Sequence, residues 1–329
     1  MKRITTNNFE HFSPENEKKH INLGLNRIKE ALIKLNNPCK NVPAIQIIGT
    51  NGKGSITAFL ENIISSSHIN VGVTTSPHLF NITERIRVNK VNIENHRLEE
   101  LLNNIQLKLQ KFNLSPFELL ICSGLKYFDS KKVDLLILEA GLGGRLDATT
   151  AHKKRPIIAI GRIGIDHCEY LGDSIEKITR EKLAVIEKGS FVVSCAQDEK
   201  VENIINEKIE EIGATIAWVT PLSEKWKLGL NGYFQRQNAA VAIEVAKSLR
   251  MQGWFINDRI IYKSLSETKW PGRLELVKWK KNRILVDAAH NPLAASVLAD
   301  ERINWLNETK GIFWILGVQK QKNISLIIK

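Results

Sequence analysis

The stretch Ile47-Ile48-Gly49-Thr50-Asn51-Gly52-Lys53-Gly54-Ser55-Ile56 constrains this chain more than any other. It follows an apolar run, Ala44 to Ile48, that Pro43 opens and Gly49 closes, which reads as a short buried strand. Behind it Ile56, Phe59, Leu60, Ile63 and Ile64 recur at the spacing of one helical face. Strand, glycine-rich turn and helix in succession are the setting of a phosphate-binding loop, because glycines let the backbone come close and amides at a helix start point at the anion. Lys53 supplies a mobile positive charge and Ser55 can offer its hydroxyl to Mg²⁺. The spacing departs from the common one: Gly49 stands three positions before Gly52, and Gly54 is inserted before the serine. A plain strand-to-helix turn explains one or two glycines, but not Gly-Lys-Gly-Ser with these flanks.

Around this loop the pattern is α/β. Val71 to Thr74, Val133 to Leu138, Ile157 to Ile163 and Phe191 to Val193 read as buried strands, and helices alternate with them, so the sheet is expected to be mostly parallel. Ser13-Pro14-Glu15 reads as the start of a helix carrying Ile21, Leu25, Ile28, Leu32 and Leu35, which Asn36-Asn37-Pro38 stops. Asn95, Ser115-Pro116 and Ser174 read as further helix starts. The 329 residues suit about two domains. A boundary is expected near Trp270 to Asn282, dividing 1–280 from 281–329. In the second part a strand from Ile284 to Asp287, a helix from Pro292 to about Asn304 and a strand from Ile312 to Val318 would make a single βαβ unit. That unit is too small to bury its own core, so residues beyond about 281 are expected to be mobile unless something covers them.

No apolar run reaches the ~18 residues of a membrane span, and the first twelve residues are not a signal peptide. Four scattered cysteines without a C-x-x-C pair suit a reducing cytoplasm and argue against zinc. The formal net charge of +12 points to anionic partners. Nucleic acid is one candidate, but the basic residues are spread out and carry no recognition motif; an enzyme handling ATP and an acidic small molecule would carry the same bias, so charge alone does not choose.

Three strand ends carry candidate chemistry. Glu139 follows the strand Val133 to Leu138 and precedes Gly141-Leu142-Gly143-Gly144-Arg145-Leu146-Asp147. Ligands of open α/β sheets lie beyond the carboxyl ends of strands, which puts Glu139 within reach of a metal held by Ser55. His167, in Gly164-Ile165-Asp166-His167, follows another strand end and could bind a second metal or a phosphate-bound water. Lys182, in Arg180-Glu181-Lys182, reads from spacing alone as a solvated helix lysine.

In order along the chain, these stretches resemble the folylpolyglutamate synthase/dihydrofolate synthase family, a branch of the Mur-type amide ligases. The resemblance runs from about Ile21 to Lys329. It takes in Gly49 to Ser55, Thr75-Ser76-Pro77-His78-Leu79, Glu84-Arg85-Ile86-Arg87-Val88-Asn89 and Glu139 to Thr149. Ile165-Asp166-His167, Arg180-Glu181-Lys182, Gln235 to Ala239, Trp270-Pro271-Gly272-Arg273 and Asp287-Ala288-Ala289-His290-Asn291-Pro292 complete it. The resemblance implies a Mur-ligase-type nucleotide-binding domain followed by an incomplete Rossmann-like C-terminal α/β domain, with the chain stopping where the family carries a complete one. It implies an ATP-dependent ligase that adds L-glutamate to dihydropteroate or tetrahydrofolate through an acyl phosphate, acting as a cytoplasmic monomer.

By the same resemblance Lys53 and the loop amides hold phosphates, Ser55 and Glu139 bind one Mg²⁺, and His167 helps bind a second; a monovalent cation is a further candidate. Lys182 matches a lysine that reacts with CO₂ to become a carbamate, and Asp147 an acid near the metal and phosphate site. Asn238 and Arg273 match nucleotide contacts, Asp287 and His290 a pair reaching the ribose, and Ser76, Pro77 and His78 a loop over the pterin. Departures are Ile56, Ala140, Thr150, Phe234 and Leu183-Ala184, none of which removes a named ligand. A Mur-type ligase for another acid and amine, or a nucleotide-binding fragment with impaired catalysis, are the competing readings.

Overall fold

A computed structural model describes Phe12 and residues 21–308, 311–318 and 324–328. Its centre is an eight-stranded sheet of order β4-β3-β2-β5-β1-β6-β7-β8. The strands are β1 (Ala44–Ile48), β2 (Val71–Thr74), β3 (Ile86–Val88), β4 (Val91–Asn92), β5 (Leu135–Glu139), β6 (Ile157–Ile160), β7 (Phe191–Cys195) and β8 (Thr215–Val219). Pairing is parallel from β2 through β8, and only β3 and β4 run antiparallel at one edge. The α/β class and the mostly parallel sheet expected from the sequence are what the structure has.

The buried runs become central strands because helices cover both faces. Side chains alternate along β5. Leu135 and Ile137 pack with Phe59, Ile63 and Val245, while Leu136 and Leu138 pack with Ile28, Leu102 and Phe128 on the other face. Ile158 and Ile160 of β6 meet Ile178, Val201 and Ile205. Each large apolar side chain buried this way contributes roughly 1.5–3 kcal/mol. The register sets Ile47 beside Glu139 and Ile48 beside Ile160, so the carboxyl ends of β5, β1 and β6 open on one edge. From β1 the chain crosses to β2 on one side and later to β6 on the other, which makes this edge a topological switch point.

Several local expectations shift. The first helix spans Asn26–Lys34, with Ile21 and Leu23 outside it; Ser13, Pro14 and Glu15 lie outside the described residues. Glu94 is the cap position of the helix Asn95–Leu109, and Asn95 is its first turn. Ser115 does cap Pro116–Ser130, in a reciprocal capping box with Glu118, and Ser174 caps Ile175–Leu183 through the amide of Lys177.

The C-terminal expectation is corrected. The Ile284 segment belongs to β10 (Asn282–Val286), which pairs antiparallel with β9 (Glu275–Trp279) rather than in parallel with a later strand. The helix Pro292–Glu308 is present, but residues 311–318 carry no strand. The turn sets the partner edge, since Lys280-Lys281 closes a hairpin, and the apolar run of β10 stays exposed along its length.

Candidate active site

The loop between β1 and the helix Lys53–Ser66 sits at the switch point. Gly52, the residue before the helix, has φ +86°, and a Cβ there would lie 2.5 Å from Asn238 Oδ1. Only glycine meets both demands. The loop is held from the β6 side: the amides of Thr50 and Asn51 donate to the Arg162 carbonyl at 2.8 and 3.0 Å. The Thr50 hydroxyl exchanges hydrogen bonds with Gly164 at 2.9 and 3.0 Å.

Two lysines enter this loop. Lys53 Nζ donates to the carbonyls of Gly49 at 3.0 Å and Thr50 at 3.1 Å. Lys182 Nζ donates to the same Gly49 carbonyl at 3.0 Å. Lys182 is therefore not the solvated helix lysine its spacing suggests; it is 5% exposed. Burial, and then the charge of Lys53, push its amine down to about 7. Burial also lowers Lys53, opposed by the charges of Glu139, Asp166 and Asp147.

Glu139 ends β5 and is almost fully buried. Burial pushes its carboxyl up to about 7, against the pull of Lys53, Arg273 and Arg87. The hydroxyl beside it is that of Thr57, 3.5 Å away on the phosphate-loop helix. Asp147 is also buried, and burial raises its carboxyl. Its oxygens already accept from the amides of Gly141, Leu142 and Thr149 and from the Thr149 hydroxyl. Four donors match the roughly four acceptor sites of a carboxylate, so Asp147 closes the 141–147 loop onto itself.

On the third strand end, Asp166 gathers several partners. Asp166 Oδ2 lies 3.9 Å from His167 Nε2, 3.8 Å from His290 Nε2, and accepts from Asn291 Nδ2 at 2.9 Å. The Asn291 amide also pairs with that of Asn51, and its oxygen accepts from the Ala294 amide, capping the helix Pro292–Glu308. The C-terminal segment is thus anchored on the phosphate loop.

Trp270 and Arg273 lie over the start of the loop helix: a Cβ on Gly54 would come within 3.0 Å of the Trp270 indole nitrogen and 3.7 Å of the Arg273 guanidinium. Asp287 accepts from the amides of Leu274 and Ala289, tying this turn to the Asp287–Asn291 segment. The Ser76-Pro77-His78 loop lies on the β2 side. His78 Nδ1 accepts from Arg85 Nε at 2.8 Å, and burial with the Arg85 charge pushes its imidazole down to about 4. Arg87 joins the two sides, accepted by Glu61 at 2.8 Å and lying 4.8 Å from the Trp270 ring centre.

The structure therefore brings Lys53, Glu139, Asp147, His167 and Lys182 to one sheet edge, with Asn238, Arg273 and His290 around it. Sequence reasoning gave no role to Asp166, Asn291, Thr57 or Arg87. Asp166 and Asn291 stood inside motifs, but their importance lies in contacts 125 residues apart. Among the described residues no three His, Cys, Asp or Glu side chains gather into a metal-binding cluster. The candidate donors remain those expected from the sequence, the hydroxyl of Ser55, the carboxylate of Glu139 and the imidazole of His167. Mg²⁺ needs few protein ligands, since it keeps several waters and takes phosphate oxygens. Among the described residues no helix is long and apolar enough to cross a membrane.

No protein-family model matches the sequence. Among curated proteins, the dihydrofolate synthetase of Saccharomyces cerevisiae is 30% identical over 343 residues, covering 94% of this chain and 78% of the relative. The dihydrofolate synthase/folylpolyglutamate synthase of Bacillus subtilis is 31% identical over 309 residues, covering 84% and 71%. Among solved structures, E. coli FolC in complex with DHPP and ADP superposes with a TM-score of 0.85 at 28% identity, over 97% of this chain and 79% of that one. The bifunctional folylpolyglutamate synthase/dihydrofolate synthase of Yersinia pestis, complexed with AMPPNP and Mn ion, gives 0.75 at 29% identity, over 87% and 72%.

Proposed function

The chain belongs to the dihydrofolate synthase/folylpolyglutamate synthase family of ATP-dependent ligases, and from that premise we propose how its own residues make an amide between L-glutamate and dihydropteroate or a tetrahydrofolate. The observation that carries the proposal is the convergence of Lys53 and Lys182 on the Gly49 carbonyl.

Lys53 and the loop Gly49 to Ser55 hold the β and γ phosphates of ATP, through amides other than those of Thr50 and Asn51, which the Arg162 carbonyl already takes. Fixed donors aimed at the transferring group spread the charge that develops there, and act most strongly where water is excluded. Ser55, Glu139 and His167 would hold two Mg²⁺, which supply charge neutralisation on the phosphates when bound. Asn238 and Arg273 line the nucleotide, with Asp287 and His290 on its ribose side. Ser76, Pro77 and His78 lie over the pterin. A monovalent cation completes the inorganic set.

Lys182 is the residue whose chemistry changes. With its amine near 7, a large fraction is neutral at physiological pH. The neutral nitrogen attacks the carbon of CO₂, the N–C bond forms and a proton leaves to solvent. A cation facing Lys53 becomes an anion facing it, so the repulsion between the two becomes attraction and an oxygen ligand for divalent metal is created. Asp147, saturated by its own loop, acts by positioning that loop. Two domains are inferred, 1–280 and 281–329; the β9–β10 sheet, separate from the eight-stranded one, straddles that division. The protein works as a cytoplasmic monomer.

The test is ADP release with ATP, Mg²⁺ and either dihydropteroate or tetrahydrofolate, with and without L-glutamate, in wild type and Lys53→Ala. Glutamate-dependent turnover, lowered by ~10²–10³ in the variant, is expected. Turnover that ignores both pterin substrates, or an undiminished Lys53→Ala, would contradict the proposal.

A further inference from the structure

Gln46 is an oddity in the sequence: an amide in the middle of Ala44-Ile45-Gln46-Ile47-Ile48, the central strand of the sheet, and wholly buried. A buried amide without partners destabilises the fold, and an apolar residue of similar shape would satisfy the core as well. Every polar edge of this side chain is instead engaged. Gln46 Oε1 accepts from Arg155 Nη1 at 2.6 Å. Gln46 Nε2 donates to the hydroxyls of Thr149 at 2.9 Å and Thr150 at 2.8 Å.

The two threonines diverge from there. The Thr149 hydroxyl donates to Asp147 Oδ1, whose partner oxygen holds the amides of Gly141 and Leu142. The Thr150 hydroxyl donates to the Gly144 carbonyl at 2.8 Å. Gly144 in turn lies against the backbone of Lys182: a Cβ there would fall 2.4 Å from the Lys182 carbonyl oxygen. The Arg145 amide donates to the Glu181 carbonyl at 3.1 Å. One glutamine amide therefore governs both the carboxylate that shapes the 141–147 loop and the loop carbonyl next to the lysine-bearing helix.

Arg155 fixes the sense of the chain. Its side chain is 2% exposed and its other nitrogen donates to the half-exposed Glu187 at 2.6 Å. A guanidinium only donates, so Oε1 of Gln46 must face it and Nε2 must face the threonines. Both hydroxyls, having accepted from Gln46, are left to donate onward, to Asp147 and to Gly144. The polarity of the whole relay follows from one buried charge.

The structure assigns Gln46, with Arg155 behind it and Thr149 and Thr150 in front, as the positioning residue for the Gly141–Asp147 loop against Lys182. The role in turnover rests on the proposed ligase function; the role in loop order does not. Four variants test it: Gln46→Leu, Gln46→Glu, Thr149→Val and Thr149→Ser. Gln46→Glu keeps the acceptor for Arg155 but replaces the donor, so the threonine hydroxyls turn toward it and away from Asp147 and Gly144.

Amide hydrogen exchange at Gly141, Leu142 and Thr149 should accelerate by about tenfold or more in Gln46→Leu, Gln46→Glu and Thr149→Val, with β1 and β5 still protected. Thr149→Ser keeps the hydroxyl and should behave as wild type. Turnover should fall by ~10–10² in the three disrupting variants, with KM for ATP nearly unchanged, because misplacement of about 1 Å costs ~10² in rate. Combining Gln46→Leu with Thr149→Val should cost little more than either alone. Should Gln46→Leu fail to fold, the Thr149→Val and Thr149→Ser pair decides. Equal exchange in those two, or unaltered exchange in Gln46→Leu, would overturn the assignment. A wild type without ligase turnover would refute the proposed function while the exchange measurements still judge the relay.

Discussion

Lys53 and Lys182 share one acceptor: both ammonium groups donate to the carbonyl oxygen of Gly49, each at 3.0 Å. Two buried cations on one oxygen repel each other, and the weaker base of the two yields its proton first. Burial and the Lys53 charge push Lys182 down to about 7, so this pair is built to lose one charge near neutral pH. The neighbouring Glu139 has the opposite problem, a carboxyl that burial pushes up to about 7.

Glu139 should therefore report metal binding by its proton. Its folded value lies above the ordinary 4.5, so its contribution to stability is present below about 4.5 and is lost as pH rises through about 7. Mg²⁺ with nucleotide bound at the proposed site would favour the ionised form and reverse that loss. Calorimetry in buffers of different ionisation enthalpy should show release of up to about one proton on Mg²⁺–nucleotide binding at pH 6, declining toward pH 8.5. Glu139→Gln should abolish this component and the turnover with it. An unchanged proton count in the variant would remove Glu139 from the metal site.

His78 gives a separate pH signature. Its folded value, about 4, lies below the ordinary 6.5 because of burial and the Arg85 charge. Between those values the unfolded chain binds the extra proton, so stability falls as pH drops from 6.5 toward 4. His78→Gln should flatten that part of the stability profile, and NMR should find the His78 midpoint close to 4. A midpoint near 6.5 would show that the imidazole is not held by Arg85.

Much of this architecture was legible because it rests on local signals. The runs at Ala44, Val71, Leu135, Ile157 and Phe191 became strands because apolar stretches of that length are covered on both faces. Ser115 and Ser174 became caps because their hydroxyls need only an amide three residues on. Spacing does not reveal the place of Lys182, because its acceptor lies 133 residues earlier and nothing in Arg-Glu-Lys carries that information. The partners of Gln46, inside an apolar run, are hidden for the same reason. Hydrophobicity alone suggests a strand at Ile312, but it does not reveal which edge a segment pairs with.

Arg87 and Glu61 form a buried pair at 2.8 Å, with side chains only 5% and 4% exposed. Removing one partner leaves a buried charge without compensation, which costs ~3–5 kcal/mol. Arg87→Met should lower the urea midpoint accordingly, and Arg87→Met with Glu61→Leu should recover much of the loss. A single variant as stable as wild type would show the pair to be solvated in solution.

The most direct test of the paired-lysine site is whether Lys182 takes up CO₂ as the proposed carbamate. Wild-type protein equilibrated with ¹³C-labelled bicarbonate, Mg²⁺ and ATP analogue should show a ¹³C carbamate resonance that is absent from Lys182→Ala, and short carboxylates should partly restore turnover to that variant. A metal-loaded, active wild type whose Lys182 amine is bare, with no carbamate resonance, would contradict the role assigned to Lys182.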